Sequence, residues 1–287
     1  MQPKDLITKD KIIYKGFKWQ ANKKKTLAVD LLKDSAEAKR RLKKVSSFQD
    51  ILDDNLMLDF IVGASMLSKK SIQHFSHDEL ISYLSHNINF DRITEQNYLN
   101  ELEKLYLLSC GDSVGGKIRN IVGQKGNQLF VEYITAYLDE NQVEFKLKRS
   151  GENIQIIETE KYAILFNKKP KFIGKSVDFI VLLKDEQGHY DIEDPMSYIS
   201  LGELKGGIDP AGADEHWKTA TTAISRIHSS FNKIDLQTPN LFFIGGAISR
   251  HMATEIIELI QYKKIKNAAN LNYPKQMHNI IKELFLE

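Results

Sequence analysis

Residues 177–183 read Val-Asp-Phe-Ile-Val-Leu-Leu, and this run limits the folds open to the chain more than any other segment. A near-continuous apolar stretch of strand length belongs to a strand covered on both faces, not to one side of an amphipathic pair. It calls for a sheet with helices packed on each side. It also places a carboxylate, Asp178, where burial is costly unless a partner or a metal ion compensates it.

The surrounding sequence fits that demand. Extended segments are expected at Val143 to Lys148, which alternates apolar and charged residues, and at Ala163 to Phe166, Tyr198 to Leu204 and Leu241 to Ile248. A helix capped by Asn127 is expected through Leu138, with Phe130, Ile134, Tyr137 and Leu138 on one stripe. Another runs from His216 to Phe231, with Trp217, Ala220, Ile224, Ile227 and Phe231 at helical spacing, and a third from Glu255 to Tyr262. The alternation of Val143 to Lys148 against the unbroken apolar run predicts a mixed sheet.

The first ~110 residues show no strong strand pattern. Helices are predicted at Leu27 to Val45, Phe48 to Leu67, Asp78 to Leu84 and Glu95 to Leu108. Five glycines between Gly111 and Gly126 mark the best boundary. The expectation is a helical, partly basic region over 1–110, followed by an α/β domain over 111–287 with a mixed central sheet flanked by helices.

Composition excludes more than it assigns. The 287 residues are 42% hydrophobic and 27% charged, as in ordinary soluble globular proteins. A net charge of +2 does not by itself announce a polyanionic partner. Lys23-Lys24-Lys25 and the stretch Lys33 to Lys44, with Lys39, Arg40, Arg41 and Lys43, are nevertheless strongly basic. Such a stretch is either a solvated helix face or a surface for phosphates. The single cysteine, Cys110, excludes an intramolecular disulfide and a cysteine-based zinc cluster. No apolar run resembles a signal peptide or reaches membrane-spanning length, so a soluble cytoplasmic protein is expected.

The chemistry centres on Glu203-Leu204-Lys205, which sets a carboxylate and an ammonium on one face of a strand. Cutting a phosphodiester requires that the phosphate be held, a water deprotonated and developing charge stabilised. Magnesium serves this chemistry and takes hard oxygen ligands such as Asp and Glu. If the strands bearing Asp178 and Glu203 are neighbours, both carboxylates can meet one cation, and Lys205 can reach the attacking water or the phosphate. His216 stands off the apolar stripe, about 100° around its helix from Trp217. It is either an exposed bystander or, as an imidazole, a general base. Asp209 either shapes the turn before Pro210 or accepts a hydrogen bond from cytosine N4 in the major groove. Gly206-Gly207 leaves no side chain to obstruct approach to DNA. Gly115-Gly116 and Gly245-Gly246 complete no nucleotide-binding fingerprint.

The segment Glu-Leu-Lys-Gly-Gly-Ile-Asp-Pro-Ala-Gly-Ala-Asp-Glu-His-Trp-Lys, from Glu203 to Lys218, resembles the active-site segment of the AvaI/BsoBI-type restriction endonucleases, within the PD-(D/E)XK nuclease superfamily. The order of elements from Asn127 to Ile260 is similar to that superfamily's core. The resemblance implies that Asp178 and Glu203 are magnesium ligands, with the Leu204 carbonyl as a third oxygen. It makes Lys205 the electrostatic anchor near the nucleophile and His216 the general base, and it supports base reading by Asp209. Glu132 occupies a place where related nucleases sometimes add an acidic residue, a solvated helix position being the alternative. Val177 stands where the superfamily's name has proline. The implied function is a type II restriction endonuclease making Mg2+-dependent breaks in both strands of DNA, with a cognate DNA methyltransferase in the same cell. A C2 homodimer is expected, because a palindromic site mirrors a two-fold protein. A repair or structure-specific nuclease on the same core, and a DNA-binding protein without useful cleavage, are the other readings.

Overall fold

The computed structural model of the chain describes residues 1–68 and 70–285, the side chains of Pro210 and Ala211 excepted. Helices α1 (Pro3–Leu6), α2 (Asp10–Leu42), α3 (Phe48–Asp53), α4 (Asn55–Ala64), α5 (His77–Asn87) and α6 (Gln96–Glu140) come first. Strands β1 (Lys146–Ser150), β2 (Asn153–Glu158), β3 (Tyr162–Lys168), β4 (Val177–Leu183) and β5 (Tyr198–Lys205) follow. The chain then alternates through α7 (Pro210–Asn232), β6 (Asn240–Gly245), α8 (Arg250–Gln261), β7 (Asn267–Asn270) and α9 (Pro274–Leu284). Two compact units result: residues 19–120, and residues 1–18 together with 121–287.

The first unit is helical. Apolar α4 supplies Phe60, Ile61 and Val62 to a core shared with Leu84, Leu99 and Leu102. The segment expected as one helix from Phe48 breaks at Asp54, whose carboxylate accepts from the Leu56 and Met57 N–H groups and so caps α4. The basic stretch is partly spoken for. Lys39 pairs with Glu103, Arg40 with Glu37, and Arg41 with Glu37 and Asp54.

The glycine-rich stretch is not a loop. Gly111 to Gly126 lie inside α6, and Asn127, expected as a cap, is an interior residue of the same helix. Each glycine costs a helix about 1 kcal/mol relative to alanine, but no proline interrupts residues 96–140, and packing of the flanking turns outweighs the local cost.

The second unit holds one seven-stranded sheet in the order β1-β2-β3-β4-β5-β6-β7. Strands β1 to β5 are antiparallel, and β5-β6-β7 are parallel. The mixed, helix-flanked sheet predicted from the alternation is therefore present, and β4 lies in its interior. Ile180 and Leu182 pack on one face with Trp217, Ala220 and Ile227 of α7 and Ile256 of α8. Phe179 and Val181 pack on the other with Phe130 and Ile134 of α6 and Met277 and Ile280 of α9. Strands β2 and β7 were not expected. Strand β7, Asn-Ala-Ala-Asn, carries no hydrophobic alternation and is fixed by its ladder with β6.

Gly202 decides how closely the central strands approach. It pairs with Phe179, and a Cβ added there would run into the Phe179 ring and lie 2.5 Å from the Phe242 carbonyl oxygen. Gly202→Ala should therefore destabilise the chain by about 1–3 kcal/mol through overpacking, read from urea unfolding. A loss below about 0.5 kcal/mol, the range of an ordinary surface change, would show that the ring moves aside freely.

Candidate active site

The β4–β5 ladder reaches Phe179 opposite Gly202. One step further lie Asp178 and Glu203, on adjoining strands. Asp178 Oδ2 accepts hydrogen bonds from the Leu204 N–H at 2.8 Å and from Lys205 Nζ at 2.9 Å. Lys205 Nζ also donates to Glu203 Oε2 at 2.6 Å. The ammonium thus lies between the two carboxylates, and Leu204 fastens Asp178 to the backbone of the neighbouring strand.

The opposite neighbour of Asp178 gives way. On β3, Phe166 pairs with Phe179 and Lys168 with Val177, while the intervening Asn167, across from Asp178, is absent from the pairing. Asn167 adopts φ 53, the left-handed region that asparagine tolerates better than most residues. The ladder therefore opens opposite the aspartate.

Burial sets the electrostatics. The side chains of Asp178, Glu203 and Lys205 are 23%, 4% and 18% exposed. Burial, followed by the charge of Asp178, pushes the Glu203 carboxyl up to about 7. For Lys205 burial works to lower the pKa, but the two carboxylates prevail and hold it above the usual lysine value. With both carboxylates ionised, two against one ammonium leave an excess of one negative charge in a half-dry pocket, which a small hard cation would neutralise. Among the described residues no group of three or more Asp, Glu, His or Cys assembles. Two carboxylates with further oxygens from backbone, water or phosphate suit magnesium, which keeps several waters, better than a closed zinc cage.

The loop after Lys205 leads straight into α7, which begins at Pro210 and not at His216. Proline at the first helical position fits, since its fixed φ is already helical and its missing N–H would be unpaired there. His216 is exposed and sits in the second turn of α7. Its ring edge faces the loop: a Cβ on Gly207 would lie 3.2 Å from both Nε2 and Cδ2. Its ring thus borders the site, outside the hydrogen-bonded cluster among the described residues. Asp209 is half-buried, and its carbonyl accepts from the Gly212 N–H at 3.2 Å, so it does form the turn into α7. Glu132 is exposed on α6.

Trp217 anchors α7. It is 3% exposed, packs edge-on against Phe243 of β6 and donates through Nε1 to Glu255 of α8. Sequence reading missed the residues that hold the other side of the site. Gly246 N–H donates to the Lys205 carbonyl at 2.7 Å, and the Gly246 carbonyl accepts from the Thr8 hydroxyl and from Asn272 Nδ2. Buried Asn270 donates to Thr8 Oγ1 and to the Leu6 carbonyl, tying the first residues of the chain to β7. Polar residues with no spacing rule give no signal in a single sequence.

The mixed, helix-flanked sheet is that of an α/β restriction endonuclease-like fold, and its adjoining strands bring an aspartate and a Glu-x-Lys together. Comparison with known families narrows the class. The family described as restriction endonuclease BsobI matches over residues 2–160 and 132–286. Type II restriction enzyme AvaI of Nostoc sp. is 31% identical over 302 residues, covering 96% of this chain and 94% of the relative. The enzyme of the same name from Anabaena variabilis aligns identically well. Type II restriction enzyme BsoBI of Geobacillus stearothermophilus is 33% identical over 275 residues, covering 85% of this chain and 84% of the relative. The chain belongs to the BsoBI restriction endonuclease family. No helix among the described residues is long and apolar enough to cross a membrane.

The raised carboxyl makes a signed prediction. Glu203 holds its proton more tightly folded than unfolded, so its favourable contribution is complete below 4.5 and is lost as pH rises through about 7. In EDTA, wild-type protein should lose stability between about pH 5 and about pH 8 relative to Glu203→Gln, measured as urea midpoints. Parallel pH profiles for the two proteins would remove Glu203 as the source.

Proposed function

We propose that this chain is a type II restriction endonuclease that hydrolyses both strands of duplex DNA at a short sequence, with Mg2+ as cofactor. The single observation that supports this best is the Asp178–Lys205–Glu203 cluster, partly buried at the end of adjoining strands and continuous with the Gly206–Asp209 loop. Asp178 and Glu203 would hold the metal, with the Leu204 carbonyl as a further oxygen. A bound magnesium supplies charge stabilisation at phosphorus and at the departing oxygen and makes water more acidic. Lys205 keeps positive charge beside the attacking water and the phosphate. His216, exposed at the rim, takes the proton of that water as general base. Attack at phosphorus with departure of the 3′ oxygen leaves a 5′-phosphate and a 3′-hydroxyl.

Sequence choice is assigned in part to Asp209, whose carboxylate accepts from cytosine N4. A C2 homodimer on a palindromic site follows from the reading, each copy cutting one strand. Lys23, Lys24 and Lys25, exposed on α2, serve as phosphate contacts. A methyltransferase of the same specificity protects host DNA, and the setting is the cytoplasm.

The test is digestion of plasmid and phage DNA with and without Mg2+, followed by sequencing of the ends. Discrete fragments sharing one short sequence are expected; random nicking, degradation from ends, or cutting that persists in EDTA would sink the reading. Lys205→Ala should abolish cleavage while DNA binding, measured by fluorescence anisotropy, survives; full activity would remove Lys205 from the chemistry. For His216→Ala a loss of about 100-fold or more is expected, the usual worth of a general base. A loss below about 3-fold would assign proton transfer elsewhere.

A further inference from the structure

Three glycines far apart in the sequence converge on the loop that follows Lys205. A Cβ on Gly126 of α6 would lie 2.6 Å from Gly206 Cα. One on Gly246, just after β6, would lie 2.6 Å from the Gly207 carbonyl oxygen. One on Gly16 of α2 would lie 2.6 Å from both Cδ1 and Cγ2 of Ile208, and nearer still to Cγ1. The first two contacts are backbone on backbone. Only at Gly16 does the glycine meet a side chain alone, so only there can a second substitution make room.

Gly16 is also in the wrong place by local preference. It lies within a helix, where alanine is intrinsically favoured. Its presence is explained by the close approach of Ile208, a β-branched side chain with little freedom to turn away. The start of α2 is itself held to the sheet, since Thr8 bonds to Gly246 O and receives the Ile248 N–H at 2.9 Å.

We infer that Gly16 is a positioning residue for cleavage. It seats Ile208, and thereby fixes the loop joining Lys205 to Asp209 and, through α7, to His216. Gly16 on this view serves the reaction centre through Ile208, without itself touching DNA phosphate or metal. The inference rests on the reading of Lys205 and its neighbours as the cleavage centre.

The test is a double-mutant cycle on wild type, Gly16→Ala, Ile208→Ala and the double variant, with kcat, KM and melting temperature measured on DNA that the wild type cuts. Gly16→Ala should lower kcat by at least about 10-fold with KM little changed, since misplacement by about 1 Å can cost about 100-fold. Removing the Ile208 side chain should then abolish that penalty, bringing the double variant to within about 3-fold of Ile208→Ala, a coupling that independent sites do not show. An unchanged kcat in Gly16→Ala, an equal loss in both backgrounds, or a fall in melting temperature alone would each overturn the inference. Absence of cleavage by the wild type would defeat the nuclease reading itself, and is thus distinguishable from failure of the variants alone.

Discussion

The ammonium of Lys205, held between the carboxylates of Asp178 and Glu203, is the interaction on which the site depends. It exists only if β4 and β5 pair in one register. A slip of one residue would send Glu203 and Lys205 to the opposite face of the sheet. That register is enforced twice: the Leu204 N–H donates to Asp178, and Phe179 lies over a glycine at position 202. Since both faces of β4 are covered by helices, the charges sit where an unpaired carboxylate is expensive. The lysine offsets one negative charge, leaving the other as the drive for a cation.

Strand β5 is also the pivot of the topology. It pairs antiparallel with β4 on one side and parallel with β6 on the other. A parallel neighbour requires a crossover, and α7 supplies it. The chain must therefore leave β5 at its carboxyl end, directly after Lys205, and resume regular structure at Pro210. Ligands of sheets with parallel strands bind outside such carboxyl ends. The two carboxylates and the loop proposed to read bases are neighbours because this connection is short.

Much of this was legible in the sequence, for physical reasons that can be named. The run Val177 to Leu183 announced a strand covered on both faces, and Glu203 and Lys205 announced a shared face. The stripe through Trp217, Ala220, Ile224 and Ile227 announced α7, though its start at Pro210 was hidden by the glycines and aspartates before His216. Other features could not be read. The glycines of α6 argue for a break by propensity, and only tertiary packing overrides them. Strand β7 has small, polar residues whose extended state is imposed by β6. Close approach of Gly16 to Ile208 joins segments almost two hundred residues apart, a distance over which local pattern says nothing.

At Val177, where the name of the resembled superfamily has proline, the strand accommodates either residue. Val177 is fully buried and pairs with Lys168 in the β3–β4 ladder. Proline there would lose an N–H, which strands tolerate at their first residue, so either residue can begin β4. What must be preserved is the opening one residue later, where Asn167 turns into the left-handed region and withdraws from Asp178. A fully paired β3 would press a regular extended residue against the aspartate on that side. Among the described residues Asp178 takes its side-chain hydrogen bonds from β5, through Leu204 and Lys205, so that the strand carrying the Glu-x-Lys also aims the aspartate. One strand thereby governs all three charged groups, and anything that shifts the end of β5, as Gly246, Gly126 and Gly16 are placed to resist, shifts them together.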